Sequence, residues 1–144
     1  WESIRAVDPA IVIIEYNSLF GAERAVTIPY DESFDRTRAH SSNQYWGSSL
    51  KALCVLAERK GYAFVGSNST GNNAYFVRGD RLGLLRALTA AQGYVASRYR
   101  DSRDSSGRLT FLPWNERLRL IGDLPLVDVE TQRSLKAREL KELA

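Results

Sequence analysis

The segment GYAFVGSNSTGNNAYFVRGD, residues 61–80, constrains the fold more than any other. Two short apolar-aromatic runs, YAFVGS and AYFVR, flank the polar stretch NSTGNN. Strand-like runs around a Gly/Asn turn predict a β-hairpin. Gly71 and an Asn supply the positive φ that a tight turn needs. The rival reading is a phosphate-cradling loop, which leads into a helix whose first amides face the anion. Here a strand-like run follows, and neither GxxxxGK[ST] nor GxGxxG is present. The hairpin is therefore the preferred reading.

Immediately upstream, GSSLKALCVLAERKG carries Leu50, Leu53, Cys54 and Ala57 at the spacing of one helical face. Ser48 or Ser49 caps its start, Arg59 and Lys60 suit the negative end of the helix dipole, and Gly61 ends it. Earlier still, the continuous and mostly β-branched run Ala10–Ile14 predicts a strand covered on both faces, as in a parallel sheet flanked by helices. WESIRAVDP before it reads as the end of a helix stopped by Pro9. Residues 18–46 form a long polar connection in which AVTIPY is a short extended piece. Its aromatic residues argue against disorder. After Arg78, DRLGLLRALTAAQ reads as a short helix and SRYRDSRDSSGR as a flexible loop. A turn of helix follows Pro113, LPLVDVE is extended, and QRSLKARELKEL is a weakly amphipathic helix or frayed tail. Residues 94–144 are thus expected to be a peripheral, partly irregular extension of a single domain spanning 1–144.

Composition narrows the function. The chain has 144 residues, 44% hydrophobic, enough for one modest core. A net charge of +3 without a basic cluster disfavours nucleic acid as a partner. One cysteine and one histidine, Cys54 and His40, cannot make a Cys/His zinc site or an intrachain disulfide. A lone cysteine suits a reducing compartment, so a cytoplasmic protein is expected. No apolar run reaches the length that spans a bilayer, and no membrane partner is expected. The chain has no Met and opens on Trp1, which reads as a fragment or processed chain with earlier strands upstream.

The phrases IVIIEYNSLFGAERAVTIPYD, YWGSSLKALCVLAERKGYAFVGSNSTGNNAYFVR and SRYRDSRDSSGRLTFL resemble the C-terminal half of a poorly characterised, FkbM-like family of class I S-adenosylmethionine-dependent methyltransferases. The likeness runs over most of the chain and is strongest over residues 11–78. It implies an α/β fold, the C-terminal portion of a Rossmann-like methyltransferase sheet ending in an antiparallel β-hairpin, with the fifth, sixth and seventh strands present. It also implies S-adenosylmethionine as cofactor of the full-length protein. The family's glycine-rich loop and the acidic residue after its second strand are both missing here. No cofactor-binding residue is assigned in this chain, and none of the cofactor is expected to bind to it alone. Methyl transfer to a small polar acceptor is the implied reaction. The alternative is a non-catalytic binding or scaffold domain, and a third reading is carbohydrate binding. The expected partners are the small polar substrate and either an upstream part of the same polypeptide or a second copy pairing along the free edge of strand 10–16.

Ligands of open α/β sheets bind beyond the carboxyl ends of the strands. If strands 10–16 and 62–67 point the same way, Glu15–Asn17 and the NSTGNN turn share one rim. Glu15 is the candidate base or holder of a substrate hydroxyl, with a structural ion pair to Arg24 as its rival role. Asn17, Asn68 and Asn73 are candidate substrate-binding amides, or else turn formers, as is Asn72. Tyr30, Tyr45 and Trp46 line a pocket or cover the start of the helix. His40 reads as a solvated loop residue, and Cys54 as a small core hydrophobe. The arginines 98, 100, 103 and 108, mixed with Asp101 and Asp104, read as a solvated loop. Leu135, Leu140 and Leu143 read as cover for the domain's own edge.

Overall fold

A computed structural model describes residues 1–140. The elements in chain order are β1 (Ile11–Glu15), β2 (Val26–Thr27), α1 (Arg36–Ala39), α2 (Leu50–Arg59), β3 (Tyr62–Ser67), β4 (Asn73–Arg78), α3 (Ala90–Gly93), α4 (Trp114–Leu120), β5 (Pro125–Asp128) and β6 (Ser134–Lys136). The architecture is mixed α/β with two three-stranded sheets, ordered β1-β4-β3 and β2-β5-β6. Every strand pairing among the described residues is antiparallel.

The hairpin forms as its sequence predicts. Tyr62 faces Arg78 and Phe64 faces Phe76, and a bulge then shifts the register so that Gly66 faces Tyr75. Asn68 and Asn73 close the turn through a 3.0 Å backbone hydrogen bond. Helix α2 forms as expected, with the Ser49 side chain accepting from the Ala52 amide at its start. It buries Leu50, Leu53 and Ala57 against Tyr62, Phe64 and Phe76, making the first core. Cys54 is half-buried and packs on this core, where burial pushes its thiol up to about 12. A thiol held protonated is a poor nucleophile, which fits the role of a small hydrophobe.

Several expectations need correction. Strand β1 is not covered on both faces. Its residues alternate between exposed and half-buried, Ile11 and Ile13 are 58% and 59% exposed, and its only partner among the described residues is the antiparallel β4. The apolar run earned its strand through β-branching, while only Val12 and Ile14 reach the core. Residues 1–9 form no helix. The Trp1 ring instead packs on Tyr62 and Phe76, with centroids 5.4 and 5.5 Å away. The segment after Arg78 forms only a 3₁₀ turn, Gly79–Arg81, and the short α3. Gly83 takes φ 57° and Leu84 lies fully in solvent, so the apolar residues there gain no buried face to hold a helix.

The second core joins distant stretches. It gathers Leu19, Phe20, Val26 and Tyr45 with Leu118, Ile121, Leu126, Leu135, Ala137 and Leu140. In place of the expected helix or frayed tail, the described part of the segment forms β6 and a 3₁₀ turn, Ala137–Glu139. Leu135 and Ala137 both point into this core at strand spacing, which decides against the helix. Leu135 and Leu140 thus cover the chain's own interior, while Leu143 lies outside the described residues. The helical turn after Pro113 and the extended LPLV segment appear as α4 and β5. No helix of the described residues is long and apolar enough to cross a membrane.

Candidate functional site

Strands β1 and β3 run in the same direction on either side of the antiparallel β4, so their carboxyl ends share one sheet edge. The two loops leaving that edge are tied together. The Tyr16 amide donates to the Asn72 carbonyl at 2.9 Å, and the Asn17 amide, donating to the Ser48 carbonyl at 2.9 Å, closes the first loop on itself. A cavity of about 250 Å³ opens there. Glu15, Asn17, Trp46 and Asn72 line it, together with Arg36, Gln44, Tyr99 and Arg117.

Residues 94–98 form a strap across the loops of this edge, and its Ser97 lines the cavity. The Tyr16 hydroxyl donates to the Val95 carbonyl at 2.6 Å, and the Tyr94 hydroxyl donates to the Ser18 carbonyl at 2.8 Å. The Ser97 amide donates to Ser18 Oγ at 3.0 Å, and the Arg98 amide to the Thr70 carbonyl at 3.0 Å. Burial raises the Tyr16 phenol above its ordinary value, so it remains a protonated donor at neutral pH. The strap also explains Gly71. This residue has φ 73°, and a Cβ on it would lie 2.5 Å from the Ala96 carbonyl oxygen. Only glycine allows the turn and the strap to approach so closely.

The sequence candidates divide sharply. Glu15 stands at the end of β1, exposed, at the cavity, and its side chain makes no hydrogen bond or ion pair with another described residue. Its expected structural partner Arg24 pairs with Asp128 instead, at 3.7 Å. Trp46 also lines the cavity, and the Arg36 guanidinium lies 4.6 Å from its ring centroid, a cation–π arrangement. Asn17 lines the cavity, yet its side chain serves the fold. Its Nδ2 donates to the Gln44 and Trp46 carbonyls at 2.9 and 3.0 Å, and its Oδ1 accepts from the Leu19 amide at 3.1 Å.

The remaining candidates lie elsewhere. Asn68 is spent on the turn: it donates to Thr70 Oγ1 and Asn72 Oδ1, and accepts from the Asn72 and Asn73 amides. Asn73 begins β4 opposite Glu15 and is not among the residues lining the cavity. Tyr45 is buried in the second core, where its hydroxyl donates to the Pro125 carbonyl at 2.5 Å. Tyr30 is 92% exposed and borders a different cavity beside Ile28 and Leu56. His40 Nδ1 accepts from the Ser42 amide and sits 2.7 Å from Ser42 Oγ, a local turn contact.

Sequence reasoning missed Arg117, Gln44 and Arg36. Arg117 lies in a stretch, NERLRL, that reads as the polar face of a short helix, yet it is only 6% exposed. Gln44, at 4% exposure, reaches it from a loop far away in sequence. No pattern in either segment announces the meeting. Arg36 carried a weak signal, since an arginine ten residues before a tryptophan in an aromatic-rich loop is a plausible stacking partner.

No family model matches the chain, and neither the comparison with curated proteins nor that with solved structures finds a match.

Proposed function

We propose that this chain forms the substrate-side rim of a methyltransferase-like α/β domain. In it β1, β3 and β4 take the places of the last three strands of a Rossmann-like sheet, and methyl transfer from S-adenosylmethionine goes to a small polar acceptor. One observation carries the reading. The carboxyl ends of two co-directional strands and their polar loops converge on one cavity. That is where open α/β sheets bind their ligands. The closing antiparallel hairpin and the resemblance to FkbM-like methyltransferases supply the family. Glu15 is the base or hydrogen-bond acceptor for the substrate hydroxyl, because its carboxylate borders the cavity with no other duty. Trp46 offers a flat wall for the substrate.

The described residues do not fit the cofactor. The glycine turn leads into strand β4 and not into a helix, so no row of helical amides faces it. The space beside Gly71 is filled by the chain's own Ala96 carbonyl. Cofactor binding is therefore assigned to sequence outside this chain. The same observation favours the second reading, a binding or scaffold domain without catalysis.

Two measurements separate these readings. S-adenosylhomocysteine is titrated calorimetrically into this chain and into the natural polypeptide that carries it. Binding is expected only where a cofactor half is present. Tight binding to the 144 residues alone overturns the division of labour. Binding to neither leaves the scaffold reading. In an active polypeptide, Glu15→Gln is expected to slow methyl transfer by about 10²–10⁴-fold, the range of general-base catalysis. An unchanged rate removes Glu15 from the chemistry.

A further inference from the structure

Arg117 is buried and makes no ion pair with another described residue. Its guanidinium donates to Gln44 Oε1 at 3.4 Å and to the Tyr99 carbonyl at 3.2 Å, both long for a charged donor. Its Nε has no acceptor at all. Asp101 acts on Arg117 only through space and pairs with Arg36 at 4.0 Å, so the hydrogen-bond acceptors of Arg117 are both neutral. Desolvation holds the Arg117 guanidinium below its ordinary value, with the Asp101 charge opposing the shift. Desolvating a cation without pairing it is costly, and fully satisfied partners are the rule for such a group.

Arg117 also borders two cavities. Besides the rim cavity, it lines a second one of about 300 Å³. Ser18, Tyr94, Ser97, Arg100 and Trp114 line this one too, and no acidic residue does. Ser18, Ser97 and Arg117 belong to both. The second cavity thus presents two guanidinium-bearing side chains, three hydroxyl-bearing ones and no carboxylate. Planar guanidinium groups match the paired oxygens of carboxylate or phosphate.

We propose that the cavity between Arg117 and Arg100 binds an oxyanion, the carboxylate or phosphate group of a small ligand. Arg117 supplies the buried anchor and the exposed Arg100, which lines the same cavity, the second charge. Ser18 and Ser97 are the neutral hydroxyls beside them. The site stands whether or not the chain takes part in methyl transfer. If it does, the shared wall with the rim cavity makes an acceptor bearing an acidic group the natural substrate.

The test is a titration of the folded chain with inorganic phosphate, and separately with acetate, following the arginine Nε–Hε resonances by NMR. A saturable shift of the Arg117 signal at tens of millimolar anion or below is expected. Phosphate binding tighter than acetate would identify a phosphate site, and the reverse a carboxylate site. Arg100→Gln removes an exposed side chain and keeps the fold. It should weaken binding about fivefold, the scale of one charge-assisted contact at a partly open site. Arg117→Lys should weaken it more, because a lysine cannot reproduce the two-pronged geometry. If Arg117→Lys fails to fold, Arg100→Gln decides. An Arg117 resonance that does not move, or an affinity unchanged by Arg100→Gln, overturns the site.

Discussion

The two sheets are assembled in different ways. In the first, β3 and β4 are neighbours in sequence and meet through one short turn, and helix α2 runs directly into β3. In the second, Val26 of β2 faces Asp128 of β5, so the pairing joins opposite parts of the chain. Apart from β1, which joins β4 from far along the chain, the first is specified by patterns that a short window contains. The second is specified by which surfaces remain to be covered once the first has formed. Its strands of two to four residues have little propensity of their own, and burial of Leu126, Leu135 and Ile121 holds them in place.

This contrast can be broken most forcefully in the cores. Phe76 is fully buried at the centre of the first sheet, and Leu126 is fully buried in the second. Phe76→Ala is expected to cost about 3–5 kcal/mol and Leu126→Ala about 2–5 kcal/mol. Each core has its own fluorescent reporter. Trp1 packs against the first and Trp114 against the second. Denaturant unfolding of single-tryptophan versions should give coincident transitions in both variants, because backbone hydrogen bonds stitch the two halves together near residues 16–18, 26 and 49. If Leu126→Ala shifts only the Trp114 transition, the sheets are separate folding units.

The same division explains what was legible. Leu50, Leu53 and Ala57 at helical spacing, with Ser49 ahead of them, leave only a helix as a reading. The Gly/Asn turn between aromatic runs leaves only a hairpin. The rim followed from one topological assumption about strand direction, which holds although the strands are not adjacent. The segment around Leu135 and Leu140 suits both a helix and a strand, and its partner β5 chose the strand. Within the site, Glu15 was legible because a strand end has a predictable place. Asn17 and Tyr45 have the right chemistry for binding, but distant carbonyls claim their polar atoms. Arg117 was invisible because its burial is created by Gln44 and Tyr99, from two separate loops.

The junction between the sheets offers a smaller effect. Ser49 Oγ accepts from the Ala52 amide at 3.1 Å, capping α2, and from the Val26 amide at 3.0 Å in β2. The same hydroxyl donates to the Arg24 carbonyl at 2.8 Å. One fully buried atom therefore serves a helix of the first half and a strand of the second. Ser49→Ala is expected to cost about 1–2 kcal/mol, a lost cap plus weakened tethering of β2. Hydrogen exchange sharpens the test. Protection should fall at both Ala52 and Val26. Loss at Ala52 alone would show that the residue is an ordinary cap and the sheets are held by something else.

The smallest expected effect concerns acid, and it lies wholly in the second sheet. Asp128 ends β5, where its Oδ1 accepts from the Thr131 and Glu130 amides at 2.9 and 3.0 Å. The amide hydrogen bond from Thr131 leads the causes that hold its carboxyl below the usual value, and the Arg24 charge adds to them. A carboxyl whose folded value lies below its unfolded one stabilises the protein above the unfolded value, near pH 4. That contribution shrinks as pH falls through the folded value, because the folded state then has to take up the proton. Asp128→Asn should therefore be less stable than the parent at neutral pH. The gap should narrow on acidification and close once both states of the parent are protonated. Comparing denaturation midpoints of the two proteins from neutral pH downward isolates this residue from the exposed acids Asp31, Asp35 and Asp104, whose carboxyls are also lowered by local turn hydrogen bonds. A gap that stays constant with pH would mean that the Asp128 side chain acts by shape and not by charge. The turn joining β5 to β6 would then be held by the second core alone.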